Sequence, residues 1–244
     1  MKNTLKNIIK KFAQNRIYFS VSQLKEYLKN NEYDYSDSSI KKYLGQLTKE
    51  GFIYNAGRGY YSHLPNEFKA ENEEVNILVE KINRKYPYLN FSIWSTKQIN
   101  FSFHHTQNRF YTFIYSESDA LMILRDYLAS DFGIQAILNP SKSDLEKISF
   151  NSTETIILRP IIIHKLSSFK VATIEKILID LYIETQRLDI IDLSEYKKVF
   201  DYFLSNYRIN ISHLLDYAER RKILTKIREL LEKYTNPTLS LNVG

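Results

Sequence analysis

The sequence contains no cysteine among its 244 residues, and only six glycines. Without cysteine, a disulfide scaffold, a cysteine-ligated zinc site and a thiol nucleophile are excluded. The few glycines form neither a phosphate-binding loop nor a dinucleotide-binding fingerprint. Hydrophobic residues nevertheless make up 43% of the chain, which is ample for a packed core and excludes a wholly disordered protein.

The sequence also has no long apolar segment. Its most apolar run, residues 155–163, is too short to span a membrane and contains Arg159. Residues 1–12 distribute their apolar side chains along a basic amphipathic helix, whereas a secretory signal would gather them in one block. We therefore expect a cytoplasmic protein with no membrane partner.

The excess positive charge is confined to the first quarter of the chain. Residues 1–65 contain 11 Lys and Arg against 5 Asp and Glu, and residues 66–244 contain equal numbers of the two classes. The whole formal charge of +6 therefore lies in the N-terminal segment. Charge segregated in this way indicates a small basic module that meets polyanions, joined to a neutral domain with another role.

Hydrophobic spacing in the N-terminal segment predicts three helices. Apolar residues recur at i, i+3, i+4 and i+7 from Leu5 and again from Ile40, as in amphipathic helices. Ser20 lies three residues before Gln23, which matches a capping box at the start of the second helix. Ser36 and Asp37 are good N-caps for the third helix, and Gly51 is placed to end it as a C-terminal cap.

Extended segments complete this module. A short one, residues 17–20, precedes the second helix, and two more, 52–54 and 60–62, flank the glycine-bearing stretch 55–59 as a β-hairpin. Helix, strand, helix, helix, hairpin is the element order of a winged helix-turn-helix. We therefore predict a winged-helix DNA-binding domain over residues 1–65.

The third helix has an outer face suited to DNA. With Ile40, Leu44 and Leu47 turned inward, the opposite face holds Gly45 and hydroxyl, amide and cationic residues, but no carboxylate. Lysines can neutralise phosphates, serine and glutamine can reach base edges, and the glycine allows close approach to the duplex. The hairpin tip is placed to enter a minor groove. The predicted DNA-binding residues are Ser38, Ser39, Lys41, Lys42, Gln46, Lys49, Arg58 and Tyr60.

The same surface is also compatible with roles that do not involve DNA. Lysines on a helix are often an ordinary solvated face, and a winged helix can also be a protein-docking module. The element order, the face without carboxylates and the confined charge together favour DNA.

The remaining residues, 66–244, predict a second domain of mixed character. After about residue 170 the spacing turns helical, which predicts a bundle at the C-terminus. The expected fold class is therefore α+β, with a winged helix-turn-helix followed by a mixed α/β domain that ends in a helical bundle. Runs of aromatic and β-branched residues predict strands over 91–94, 98–103, 110–115 and 155–163.

No metal or cofactor site is predicted. His104 and His105 are adjacent, but no HExxH motif and no third histidine lies nearby. We expect them in a hairpin loop, 104–109, between two strands.

A nuclease site of the restriction-enzyme type would need carboxylates beside a lysine on a strand. Asp131 and Glu154 flank suitable runs, but Ile156 stands where the lysine would be. Glu195 and Lys197 have the required spacing within a helical pattern. The sequence thus predicts a protein that is not an enzyme.

Three segments of the chain carry a family resemblance. They are VATIEKILIDLY at 171–182, FSIWST at 91–96 and INISHLLDYA at 209–218. They resemble AbiEi-type proteins, the antitoxin components of the AbiE abortive-infection toxin–antitoxin systems. That family combines an N-terminal winged helix with a C-terminal domain, the same order that is predicted here.

The resemblance implies a function. Such antitoxins repress their own operon by binding repeated promoter sequences, and they counteract a nucleotidyltransferase-type toxin encoded beside them. Their C-terminal domain carries the antitoxic role without known catalysis. The resemblance thus implies a type IV antitoxin that acts as a transcriptional repressor, with operator DNA as one partner and a nucleotidyltransferase-type toxin as the other.

Two alternatives stay open, and the chain departs from the family pattern in its longer, aromatic-rich middle section. The second domain could be a nuclease or nucleotidyltransferase-related enzyme that the winged helix targets to DNA. The chain could also be a stand-alone regulator whose second domain docks proteins.

Overall fold

The computed structural model describes residues 4–105, 107–147, 153–161 and 170–235. Its helices are α1 Leu5–Gln14, α2 Val21–Asn30, α3 Asp37–Lys49, α4 Glu73–Lys85, α5 Ala120–Phe132, α6 Lys142–Lys147, α7 Ile174–Leu188, α8 Leu193–Asn206, α9 Ile211–Arg220 and α10 Leu224–Thr235. Its strands are β1 Tyr18–Ser20, β2 Tyr54–Asn55, β3 Tyr60–Ser62, β4 Phe91–Ser95, β5 Phe110–Ser116, β6 Ala136–Leu138 and β7 Glu154–Pro160. The α+β fold class is confirmed.

The chain divides into two compact units. One contains the described residues up to Phe68 together with those from Asp201 onward, and the other is Lys69–Phe200. This division differs from the one predicted at residue 65, which placed all of 66–244 in one domain. The C-terminal residues belong with the winged helix because they cover one face of its sheet.

The first unit contains the predicted winged helix. Strand β3 lies between β1 and β2 in a three-stranded antiparallel sheet, with Phe19 opposite Tyr61. Helices α1, α2 and α3 pack on one face of this sheet around a core of buried apolar residues. That core contains Leu5, Ile8, Ile9, Phe12, Ala13, Phe19, Leu24, Leu28, Ile40, Leu44, Leu47 and Ile53.

The predicted helix caps are present. Ser20 and Gln23 form the capping box of α2, in which the Ser20 hydroxyl accepts from the Gln23 amide at 3.1 Å. Ser36 caps α3 by accepting from the amide of Ser39. Gly51 follows that helix with a φ of 68°, as expected of a C-terminal cap. Local side-chain chemistry thus sets the ends of α2 and α3.

The C-terminal helices cover the opposite face of the three-stranded sheet. Tyr18 points to that face, since Phe19 points to the helical core and side chains alternate along a strand. The Tyr18 hydroxyl donates to the carbonyl of Tyr207 at 2.6 Å and accepts from the amide of Ile209 at 3.0 Å. Helix α10 packs against β1, and Tyr18 is fully buried. The sheet therefore has helices on both faces.

A second set of contacts fastens the chain after the hairpin to the same C-terminal residues. The amide of Arg208 donates to the carbonyl of Asn66 at 2.7 Å, and its guanidinium donates to the carbonyl of Pro65 and to Glu67 at 2.6 Å each. The ring of Phe68 packs edge-on against Phe203, with centroids 4.9 Å apart. These contacts extend the first unit to Phe68.

The second unit is built on a four-stranded sheet in the order β4-β5-β7-β6. Strand β4 is antiparallel to β5, whereas β5, β7 and β6 are parallel. Helices α4 and α5 cover one face, where Ile93, Ile114 and Leu158 are buried. Helix α7 covers the other face.

One predicted strand is a helix instead. Residues 98–103 were expected to be extended, but Thr96–Ser102 forms a 3-10 helix. The cause is a capping box, because the amide of Ser95 donates to Gln98 and the Ser95 hydroxyl accepts from the amide of Lys97. Strand β5 therefore pairs with β4 and not with the predicted segment. The strand predicted over 155–163 is β7, and residues 162 and 163 lie outside the described residues.

A buried ion pair joins the sheet of the second unit to α7. The guanidinium of Arg159, on β7, donates from Nε and Nη2 to the carboxylate of Glu184, with a shortest distance of 2.6 Å. Its Nη1 donates to the side chain of Asn139 and to the carbonyl of Pro140. Tyr115 donates to Glu184 at 3.2 Å. Because both charged side chains are at most 1% exposed, these partners must replace the water lost on burial.

Replacing Arg159 with alanine should lower the free energy of unfolding by about 3–5 kcal/mol, because the carboxylate of Glu184 would stay buried with only the exposed Arg187, 4.0 Å away, as a cation. Arg125 serves as a control, since its guanidinium is 39% exposed and pairs only with the adjacent Asp126 among the described residues. Arg125→Ala should change the free energy of unfolding by less than about 1 kcal/mol. Urea denaturation followed by circular dichroism measures both. Equal losses would contradict a structural role for the buried pair.

Candidate nucleic-acid interface

The outer face of α3 is open to solvent along most of its length. Its inner residues Ile40, Leu44 and Leu47 are buried in the core of the first unit. The predicted contact residues lie on the other side. Ser38, Lys41, Lys42 and Lys49 are exposed, and Ser39 and Gln46 are half-buried. The structure thus places the six α3 residues on one accessible helix, while their contact with DNA stays a prediction.

Several cations near this face are neutralised by carboxylates. Glu50, at the end of α3, pairs with Lys6 at 2.5 Å and with Lys10 at 4.0 Å. Its hydrogen bond from Lys6 holds the pKa of Glu50 below its usual value. Asp37, in the first turn of α3, pairs with Lys25 at 2.7 Å, and this hydrogen bond lowers the pKa of Asp37. Three of the basic charges are therefore already engaged.

Lys42 and Lys49 differ from Lys6, Lys10 and Lys25. Neither forms an ion pair with any residue that the structure describes. Their ammonium groups point away from the core on the face of α3 that carries no carboxylate. The outer face of α3 therefore presents positive charge that the described residues leave uncompensated.

The serines at the start of α3 have a structural role. The hydroxyls of Ser38 and Ser39 lie 2.9 and 3.0 Å from the hydroxyl of Ser36, which caps the helix. Their hydroxyl groups therefore take part in the N-terminal cap. Contact of Ser38 and Ser39 with bases would compete with these hydrogen bonds.

Gly45 lies in the middle of α3, and nothing inside the described structure requires a glycine there. A Cβ atom added to it would meet no atom within 4 Å. Glycine in a helix costs about 1 kcal/mol relative to alanine. The position is therefore open space on the outer face of α3.

The hairpin loop 55–59, called the wing below, lies beside the C-terminal helices. Arg58 at its tip is exposed, and its guanidinium makes no hydrogen bond or ion pair with a described residue. Tyr60 is half-buried on the sheet face that the C-terminal helices cover. A cleft of about 440 Å³ lies between parts of the wing, α9 and α10. It is lined by Arg58, Tyr60, Ser212, His213, Leu215, Asp216, Glu219, Leu224 and Arg228.

The sequence analysis did not predict that the C-terminal helices lie beside the wing. The available signal was Tyr18, an aromatic residue that alternates with Phe19 and so marks a second apolar face of the sheet. A three-stranded sheet with two apolar faces requires cover on both sides, and only residues distant in sequence were left to supply it.

The candidate catalytic residues lie on different elements, and each carboxylate accepts a hydrogen bond from a described residue. Asp131 lies in the last turn of α5 and accepts from the hydroxyl of Ser130. Glu154 begins β7 and accepts from Lys97 at 3.0 Å. Glu195 lies in α8, where its carboxylate accepts from the amide of His104. Burial would raise the pKa of Glu195, but the amides of His104 and His105 and the charge of Lys198 outweigh it, so the pKa is lowered.

Within the described parts of the chain, no three or more His, Asp or Glu side chains are grouped so that they could hold a metal ion. None of the described helices combines the length and apolar character needed to cross a membrane.

Comparison with known families bears on both parts of the chain. Residues 5–64 match the winged helix-turn-helix domain found at the C-terminus of MCM proteins, which supports a winged helix here and suggests DNA binding. No curated protein is significantly similar to the chain. These findings support the winged helix but do not support the AbiEi-type assignment with a named relative. Residues 39–237, most of the chain, match a family of unknown function, DUF6577, and the chain therefore belongs to that family.

Proposed function

We propose that this protein is a transcriptional regulator that binds duplex DNA with the outer face of α3. The observation that carries the proposal is the pair Lys42 and Lys49, which form no ion pair with a described residue while Lys6, Lys10 and Lys25 do. Backbone phosphates provide the opposite charge, and releasing their counterions is the main source of affinity for DNA. The lysines supply affinity, and Gln46 is placed to reach base edges.

Gly45 supports the same orientation. Its lack of a side chain opens the middle of the outer face, where the backbone of α3 can approach a duplex closely. A helix in the major groove needs such an approach at its centre, and the intrinsic cost of the glycine to the helix would be offset by that contact.

The finer proposal is that the regulator is a repressor and the antitoxin of a type IV toxin–antitoxin system, acting in the cytoplasm without catalysis. Its support is the resemblance of residues 91–96, 171–182 and 209–218 to AbiEi-type proteins, and the order of a winged helix followed by a second domain. In this chain the three segments correspond to β4, the start of α7 and most of α9. Counteracting the toxin would be the task of residues beyond the winged helix.

The double substitution Lys42→Ala with Lys49→Ala should weaken binding to duplex DNA and reduce the slope of log K against log salt by about 2, because two phosphate contacts are lost. Lys11→Ala with Lys29→Ala removes the same charge from exposed positions on α1 and α2. This matched control should change the slope much less. Fluorescence anisotropy at several salt concentrations gives both slopes. If the two double variants lose the same slope, net charge and not the face of α3 determines binding.

Gly45→Ala should raise the stability of the protein but lower its affinity for DNA. The added methyl group meets no protein atom, so the variant should gain about 0.5–1 kcal/mol in free energy of unfolding. The same methyl group would lie between α3 and the duplex, so affinity for DNA should fall. Thermal unfolding and anisotropy on the same samples measure the two effects. A more stable variant with undiminished DNA affinity would argue against close approach at this position.

The antitoxin role can be tested in growing cells. If the gene lies beside a reading frame for a nucleotidyltransferase-like protein, expression of that protein alone should arrest growth, and co-expression of this chain should restore it. The Lys42→Ala, Lys49→Ala variant should lose repression of its promoter but still restore growth, because the antitoxic role is assigned to other residues. Absence of such a neighbour, or arrest that this chain does not relieve, would leave a stand-alone regulator.

A further inference from the structure

The wing is held by hydrogen bonds to the start of α9. The carbonyl of Ala56 accepts from the amide of Ile211 at 2.8 Å, and the amide of Arg58 donates to the hydroxyl of Ser212 at 3.0 Å. The Ser212 hydroxyl in turn donates to the side chain of Asn210 at 3.0 Å. Asn210 is the N-terminal cap of α9. Residues separated by more than 150 positions thus form one hydrogen-bonded unit, called the wing clamp below.

Gly57 shows how closely the two parts of the wing clamp approach each other. It is buried, and its φ of 104° is one that side-chain-bearing residues rarely adopt. A Cβ atom there would overlap the side-chain oxygen of Asn210 and come within 2.5 Å of the Ser212 hydroxyl and 2.9 Å of the Ser212 amide nitrogen. Gly59 has a similar φ of 78°, but a Cβ atom there would meet nothing within 4 Å. Only Gly57 is needed for contact with α9.

The wing clamp fixes the backbone on both sides of Gly57, directly before the cation of Arg58. The carbonyl before Gly57 and the amide after it are both bonded to α9, whereas the guanidinium of Arg58 has no partner among the described residues. A free hairpin loop would lose conformational freedom when it bound DNA. A loop already ordered by folding loses less of it, so its contacts contribute more to affinity.

We propose that Asn210 and Ser212 are positioning residues for DNA binding, because the wing clamp holds Arg58 ready to contact a phosphate or enter a minor groove. The inference rests on the proposed DNA-binding function and adds the C-terminal residues to that interface. Asp216 and Glu219 line the cleft beside Arg58, and a wing clamp that held the charge of Arg58 beside them and away from DNA would have the opposite effect. The two effects have opposite signs in the experiment below.

The wing clamp itself can be tested without DNA. In the full-length chain, the amides of Arg58 and Ile211 should be protected from hydrogen exchange. Ser212→Ala should abolish protection of Arg58, and Gly57→Ala should abolish protection of both. Gly59→Ala is the matched control, because it carries a comparable backbone penalty without the collision, and it should retain both. Loss of protection in Gly59→Ala equal to that in Gly57→Ala would overturn the wing clamp.

The positioning role is then tested with a mixed-sequence duplex of at least two helical turns. Ser212→Ala and Gly57→Ala should each weaken binding by about threefold or more, and Arg58→Ala should weaken it in the wild-type background. In either variant background, Arg58→Ala should cost much less, because a released wing no longer presents the cation. This non-additivity is a readout that a merely structural role would not produce.

Two results would overturn the positioning role alone. One is an equal cost of Arg58→Ala in all backgrounds, and the other is tighter DNA binding after release of the wing, which would assign an inhibitory role to the wing clamp. Failure of the wild-type chain to bind any duplex, with Arg58 and Ile211 still protected, would instead contradict the proposed function.

Discussion

The hydroxyl of Tyr18 is the contact on which the first unit depends. It donates to the carbonyl of Tyr207 and accepts from the amide of Ile209, and in doing so joins the first strand of the winged helix to the C-terminal residues. Without it, a buried amide would lack a partner, at a cost of about 1–3 kcal/mol. The chain from Asp201 onward returns to this point. As a result, the start of α9 reaches the wing and α10 covers β1. The winged helix is thus completed by residues that lie far from it in the sequence.

Several of the positively charged side chains fall into three groups, according to how their charge is compensated. Arg159 lies in the interior of the second unit and has Glu184, Asn139 and Pro140 as partners, so it acts as a structural cation. Lys6 and Lys25 are exposed but engaged by carboxylates at the two ends of α3. Lys42 and Lys49 on α3 and Arg58 in the wing are exposed and form no ion pair with a described residue. These three cations therefore remain available to a polyanion.

Local signals in the sequence predicted much of the winged helix. The capping box of Ser20 and Gln23, the Ser36 cap and the glycine after α3 each act within a few residues, so spacing alone reveals them. The same kind of signal was missed at Ser95 and Gln98, because the aromatic and β-branched residues around them favour a strand. There too, hydrogen bonds between residues close in sequence determined the secondary structure.

Long-range contacts could not be predicted in this way. Gly57 reads as an ordinary turn glycine, and only the position of Asn210 and Ser212 shows that a side chain is excluded there. The grouping of residues 201–235 with the winged helix depends on Tyr18 and Arg208, whose partners lie more than 140 positions away. For the candidate site, spacing predicted which α3 residues lie outward. It could not show which lysines are already neutralised, since Glu50 and Asp37 take their partners from α1 and α2.

DNA binding through α3 and the wing is tested most directly by mapping the contact on the full-length chain, using amide chemical shifts during titration with duplex DNA. We expect perturbations at Lys42, Gly45, Gln46 and Lys49 on α3, at Arg58 in the wing, and at Ser212 through its bond to Arg58. Residues of the four-stranded sheet, β4 to β7, should be unaffected. Perturbations that are concentrated in that sheet, or that spare α3, would contradict DNA binding through α3 and the wing.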